Sequence, residues 1–227
     1  MVLKDKRLLA CAEEVTGDFV CDIGTDHGYL PAYLLSSGKC TRAIAADINE
    51  KPLEAARTTL EREGLADKAE LCLSDGLKSV SLEGVTDIVI AGMGGELISR
   101  IIAADERVRS EGITFILQPM TRAGELRRFL AENGFDTINE KGVCDGRFAY
   151  CVITCRYSGR CRSISSVEEV IGKLSPERSE DREYISRQTA RLENAAEGMK
   201  MQSPEKSAEL MKTVEEIRAY TNADCFF

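Results

Sequence analysis

The chain has 227 residues, 43% hydrophobic and 30% charged, which is enough to bury a full globular core. Thirty Lys+Arg against 38 Asp+Glu leave a formal charge of -8, which removes the simple argument for a wholesale polyanion binder, so any nucleic-acid contact has to be local. No apolar run approaches the ~20 residues of a membrane span, and the N-terminal MVLKDKRLLACAEEV reads as a charged amphipathic helix rather than a signal peptide, so the expected compartment is the cytoplasm.

From residue 18 onward short β-branched runs alternate with helical patterns. Strands are predicted over residues 19–23, 43–47, 69–73, 87–91 and 114–118, with a final pair near 137–144 and 149–156. Amphipathic helices are predicted over 29–37, 50–63, 96–104 and 122–133. Strand, helix, strand repeated in this way builds a parallel sheet covered on both faces. Asp145-Gly146 marks a hairpin turn between the last two strands, so the expected class is α/β with a mostly parallel seven-stranded sheet and an antiparallel terminal hairpin.

The strand pattern ends at Tyr157-Ser158-Gly159-Arg160, which divides the chain into a domain of residues 1–157 and a helical domain of residues 158–227. Beyond a short helix near 167–174, Ile185, Leu192 and Met199 recur every seven residues, and Leu210, Val214 and Ile217 follow at helical spacing. Ser203-Pro204 separates the two runs with an N-cap and a first-turn proline, predicting an antiparallel helical hairpin. Such a hairpin either covers one side of the first domain or forms an arm presented to a large substrate.

The run Val20-Cys21-Asp22-Ile23-Gly24-Thr25-Asp26-His27-Gly28-Tyr29-Leu30 is a buried strand entering a glycine turn and then a helix, the place where a doubly wound sheet holds a nucleotide-like ligand. A pyrophosphate requires a neutral, close-approaching backbone at the second glycine of G-x-G-x-x-G, and here that slot is Asp26. S-adenosylmethionine carries an ammonium, a sulfonium and two ribose hydroxyls, all compatible with nearby carboxylates. Asp22, Asp47 (beside Ile48) and Asp75 (beside Gly76) fall at three strand ends and favour that ligand over a dinucleotide. Each taken alone reads as an ordinary N-cap or turn residue. The fourth strand ends in Gly92-Met93-Gly94-Gly95, leaving room for a flat group, and the fifth ends in Leu117-Gln118-Pro119, which places an amide on the same edge.

Nine cysteines, an odd number, suit buried thiols in a reducing compartment. The cluster Cys144, Cys151, Cys155 and Cys161 lacks a C-x2-C knuckle and the only histidine is His27, so no metal is expected.

With Asp22-Ile-Gly-Thr-Asp-His-Gly-Tyr-Leu-Pro31, Asp47-Ile-Asn-Glu50, Ala91-Gly-Met-Gly-Gly95, Leu117-Gln-Pro119, the Leu3-Lys-Asp-Lys-Arg-Leu8 helix and the helical tail in view, the chain resembles the bacterial tRNA (adenine-22-N1)-methyltransferase family over nearly its whole length. The resemblance implies a Rossmann-like class I methyltransferase domain with a C-terminal coiled-coil-like domain, S-adenosylmethionine as cofactor and the D arm of tRNA as substrate. In the family pattern Asn follows Leu-Gln-Pro; here the residue is Met120.

Expected cofactor contacts are Asp22, Gly24, Asp26, Gly28, Asp47, Ile48, Asp75, Gly76, Gly92 and Met93. Asp26 is the candidate catalytic carboxylate, facing the charge that develops on a methylated ring, and His27 is its neighbour, reading equally as a helix cap. Tyr29, Gly94, Gln118, Arg122, Arg127 and Arg160 are the candidate substrate contacts. Residues 97–128 hold six Arg against four Asp+Glu, which suggests a positive rim for phosphates. No obligate protein partner is evident. The rival readings are a same-fold methyltransferase acting on a small molecule or protein, and a non-catalytic cofactor- or tRNA-binding module.

Overall fold

A computed structural model describes residues 1–110 and 112–223. Seven strands form one sheet: β1 (Phe19–Ile23), β2 (Arg42–Asp47), β3 (Ala69–Leu73), β4 (Asp87–Gly94), β5 (Thr114–Thr121), β6 (Phe135–Asp145) and β7 (Phe148–Tyr157), in the order β3-β2-β1-β4-β5-β7-β6. β1 to β5 run parallel, and β7 alone is antiparallel to both neighbours. The order reverses between β1 and β4, which opens the crevice at the carboxyl edge where ligands of such sheets bind. β1 is buried throughout, as a central parallel strand covered on both faces must be.

Helices α1 (Lys6–Glu14), α2 (Tyr29–Ser36), α3 (Glu50–Arg62), α4 (Gly95–Ala103) and α5 (Ala123–Glu132) cover the two faces. Residue alternation along the strands sorts the core. Ile88, Ile90, Phe115 and Leu117 pack with Ile98 of α4 and Leu126 and Leu130 of α5. Val89 and Ile116 pack on the other face with Cys11 of α1 and Leu30 and Leu34 of α2. Asp5 starts α1 as its N-cap, its carboxylate accepting from the Arg7 and Leu8 amides at 2.8 and 3.4 Å.

Two strands run past their predicted ends. Pairing of β4 with β5 continues through bulges between Ala91 and Gly94, so the glycines and proline that read as breakers lie inside the ladder. The turn between β6 and β7 is the two-residue Gly146-Arg147, as the Asp145-Gly146 pattern predicts.

The chain leaves the sheet at Tyr157 and continues as α6 (Ser166–Ile171), α7 (Ser179–Met199) and α8 (Pro204–Ala223). These helices share the sheet's core: Ile171, Leu174, Tyr184, Ile185 and Ile217 belong to the same buried cluster as Phe115. The buried Asp181 carboxylate accepts from Gly142 N of β6 at 2.6 Å and from Ser175 N at 3.1 Å. Burial fades along α7, from buried Ile185 to half-buried Leu192 to Met199, which is 40% exposed. The base of the hairpin therefore covers the sheet while its tip extends into solvent. Among the described residues, Cys11, Cys21, Cys40, Cys151 and Cys155 are buried free thiols. Among the described residues no helix is long and apolar enough to cross a membrane, and no group of His, Cys, Asp or Glu could hold a metal ion.

Candidate active site

The turn after β1 is fixed by backbone geometry. Gly24 N and Thr25 N both donate to Ala46 O of β2, at 2.8 and 3.0 Å, and Gly24 and Gly28 have positive φ. A Cβ on Gly28 would lie 2.9 Å from Ala56 Cβ, so only glycine lets α2 begin against α3. Between these glycines Asp26 is held at φ 44°, an uncommon conformation for a non-glycine residue. Its carboxylate stands exposed, 3.7 Å from His27 Nε2, and the His27 ring stacks on Tyr29.

Asp22 is buried at the end of β1 and lines the cleft. Burial pushes its carboxyl up to about 7, and the Asp47 carboxylate adds to the rise. Asp47 ends β2 and accepts from Asn49 N at 2.8 Å, which shapes the turn into α3. Beside it Ile48 and Leu73 are 61% and 51% exposed, apolar surface at a strand-end edge that a flat ring would cover. Leu73 was not among the predicted contacts; an apolar residue in the last position of a strand was its only sign. Asp75 lies beyond it, paired to Lys78 Nζ at 2.5 Å, and Gly76 packs against Ile101.

At the end of β4, Gly92 (φ 78°) forms the bulge, and a Cβ there would point into open space. Met93 Cε sits against Gly24, where a Cβ on the glycine would be 2.3 Å from it, and so closes the gap between the ends of β1 and β4. A cavity of about 920 Å³ opens from Asp22, Gly24 and Asp26 toward Gly92. Its other wall is the N-terminal segment, including Leu3, Asp5 and Arg7. Sequence reading missed that wall, because a basic amphipathic start carries no cleft pattern.

Several predicted substrate contacts are placed differently. Arg127 is buried, bound to Glu140 at 2.8 Å and donating to the Glu169 and Val170 carbonyls, so it joins α5 to β6 and α6 and does not reach a substrate. The Gln118 side chain is also buried. Its Oε1 accepts from Gly92 N at 3.1 Å and its Nε2 donates to Pro119 O at 3.0 Å, so it holds the bulge instead of a base. Arg160 follows the end of β7, which is antiparallel to β5, and so lies at the sheet edge opposite the cleft, paired to Asp136. Arg122 follows the carboxyl end of β5, outside the residues that line the cavity, exposed and in a left-handed conformation between the Glu96 and Glu125 carboxylates. The expected rim of six arginines does not form: Arg107 ties down the Leu77 and Val80 carbonyls and Arg128 pairs with Glu169. Gly94 caps α4, with Thr121 Oγ1 3.2 Å from the position of a Cβ.

Residues 4–153 match the methyltransferase domain family. The chain is also 35% identical over 170 residues to the tRNA (adenine(22)-N(1))-methyltransferase of Bacillus subtilis strain 168, covering 74% of this chain and 71% of that one. The chain belongs to the tRNA (adenine(22)-N1)-methyltransferase family. A crystal structure of a Streptococcus pneumoniae protein, named as a candidate tRNA (m1A22) methyltransferase, superposes with TM-score 0.84 at 28% identity, over 97% of this chain and all of that one. The same protein has been solved with S-adenosyl-L-methionine, with TM-score 0.81 at 28% identity over 95% of this chain and 99% of that one. The crystal structure of the B. subtilis family member, at 24% identity and TM-score 0.81 over 97% of this chain and all of that one, shares the fold. The family's fold thus includes the helical tail, since these superpositions extend well beyond residue 153.

Proposed function

We propose that the chain transfers the methyl group of S-adenosylmethionine to N1 of adenine 22 in the D arm of tRNA, working in the cytoplasm where tRNA is met. The observation that carries this reading is the cleft itself. A buried carboxyl, Asp22, lines the cavity together with Gly92 of the glycine bulge, which is open enough for a flat ring, and the strand-end carboxylate Asp47 acts on Asp22 from the neighbouring β2. These residues fit a cationic, hydroxyl-rich and phosphate-free cofactor, because Asp26 occupies the turn where a pyrophosphate would need bare backbone. When bound, S-adenosylmethionine supplies an electrophilic methyl group on its sulfonium.

Asp22 and Gly24 hold the methionine end, Asp47 accepts from ribose hydroxyls, and Ile48 and Leu73 cover the adenine face. Adenine N1 already bears an in-plane lone pair, so the protein needs to align it rather than deprotonate it. The methylated ring becomes cationic, and an exposed carboxylate at Asp26 that accepts from N6 favours that charge as it develops. The His27–Tyr29 stack offers a platform for the base, which must leave its helix before its Watson–Crick edge is accessible.

The test is incubation of the full chain with labelled cofactor and unmodified tRNA transcript, followed by mapping of the modified base. Label confined to N1 of adenine 22, and absent from a transcript with guanine there, is the expected result. Label that persists after that substitution overturns the assignment.

A further inference from the structure

One exposed group near the cleft has no part in the site described above. Phe148 and Tyr150 lie on one face of β7, followed on that face by Val152 and Thr154, which are buried. The covering helix α1 starts only at Lys6, and its first turn reaches no further than Tyr150, where the Arg7 guanidinium lies 5.6 Å from the ring centroid. Phe148 is left 51% exposed, stacked on Tyr150 with centroids 6.1 Å apart and ring planes at 30°. Arg147 lies over the Phe148 ring at 5.0 Å.

The local charge is mixed in sign but leaves cations free. Asp5 pairs with Arg7, Asp145 lies beside Arg7, and Glu183 pairs with Arg187, which in turn donates to the Arg147 carbonyl. Among the described residues neither Lys6 nor Arg147 has a carboxylate partner, and Lys6 Nζ donates to the Cys144 carbonyl at 3.2 Å, at the same hairpin end. Two stacked rings flanked by guanidinium groups form the surface on which unpaired bases settle, the rings taking the base face and the cations the phosphates. A single exposed phenylalanine would need no explanation; a stacked and cation-flanked pair beside a cleft does. Arg7 makes the link, because it also lines the cavity and reaches Met120 Sδ at the end of β5.

We propose that Phe148, Tyr150 and Arg147 form a second base-binding site, which takes an unpaired nucleotide of the same RNA beside the one presented to the cavity. The site rests on the reading of the chain as a tRNA methyltransferase. It anchors the strand on the far side of Arg7, so that the target base is drawn out between two aromatic platforms, His27–Tyr29 and Phe148–Tyr150.

The chain contains no tryptophan, so Phe148→Trp places a single reporter in the site. Titration with unmodified tRNA transcript is expected to quench its emission, while heparin at equal charge leaves it unchanged. In parallel Phe148→Ala is expected to weaken tRNA retention on filters about tenfold. Binding of S-adenosylmethionine to the same preparation checks that the domain is folded. Emission that stays constant while tRNA is retained, equal quenching by heparin, or undiminished retention of the alanine variant would each overturn the site. Quenching by tRNA together with wild-type protein that leaves adenine 22 unmethylated would instead overturn the catalytic reading.

Discussion

The imidazole of His27 stacks on the phenol ring of Tyr29 with centroids 5.2 Å apart and planes 21° from parallel. Both rings stand at the entrance of the cavity, and Tyr29 is 42% exposed although it opens a helix. A ring held in place and left uncovered is suited to a transient partner. Tyr29→Ala is therefore expected to lower kcat/KM for tRNA about tenfold with little change in KM for the cofactor, and Tyr29→Phe to restore most of it. Steady-state kinetics with each substrate varied in turn separate the two effects.

Asp22 sets a pH dependence whose sign follows from its burial. With its carboxyl pushed up to about 7, it is mostly neutral at pH 6 and mostly ionised at pH 8. A cationic cofactor selects the ionised form, so its affinity should rise about tenfold across that interval, and binding below pH 7 should release a proton. Without cofactor the dependence reverses. The folded state holds this proton more tightly than the unfolded chain, so stability is greatest below the ordinary carboxylate value and falls as pH rises toward 7. Asp22→Asn should flatten both profiles, measured by calorimetric titration and by thermal melts.

Gly28 and Gly92 both have positive φ, but their surroundings differ. At Gly28 a methyl group meets Ala56 Cβ at 2.9 Å, and at Gly92 it meets nothing within 4 Å. Gly28→Ala is expected to cost about 2–4 kcal/mol of folding stability, combining backbone strain with overpacking. Gly92→Ala should cost about 1–2 kcal/mol and still depress turnover strongly, because its methyl group projects into the cleft. Urea unfolding set beside single-turnover rates distinguishes a packing glycine from a site glycine.

The buried Arg127–Glu140 pair behaves as a structural unit. Arg127→Met leaves Glu140 charged and unpaired in the core and frees the Glu169 and Val170 carbonyls, so a loss of about 3–5 kcal/mol is expected. Replacing both partners with apolar residues should recover much of it. Arg128→Ala, next in sequence but exposed, should stay within about 0.5 kcal/mol. Chemical denaturation of the three variants checks the ranking.

Periodicity made most of the fold legible. Short strand-like runs at βα spacing located the first five strands, the Asp145-Gly146 turn located the final pair, and the glycine turn with Asp22 and Asp47 located the cleft. What escaped was whatever depended on a distant partner. Arg127 sits in an ordinary amphipathic helix pattern, and only its pairing with Glu140, thirteen residues on, shows that it points inward. Gln118 reads as an amide able to contact a base, yet Gly92 N donates to its Oε1 and its Nε2 donates to Pro119 O. Phe148 and Tyr150 look like any alternating strand face until the start of α1 fixes which of them is covered. Arginines close in sequence did not make a patch, because a helix sends consecutive residues to different sides.

β6 is the outermost strand on its side of the sheet. Its backbone is not left free for another chain: Asp181 takes the Gly142 amide, Lys173 donates to the Thr137 carbonyl and Lys6 to that of Cys144. A Cβ on Gly142 would come within 2.6 Å of the Glu180 carbonyl, so α7 lies directly over the strand there. The helices after Tyr157 thus act as a guard against self-association as well as a route to the tip of the arm. A chain ended at Tyr157 would bare the Gly142 amide and the Thr137 carbonyl, and light scattering should find it clumping edge to edge under conditions that keep the full chain dispersed.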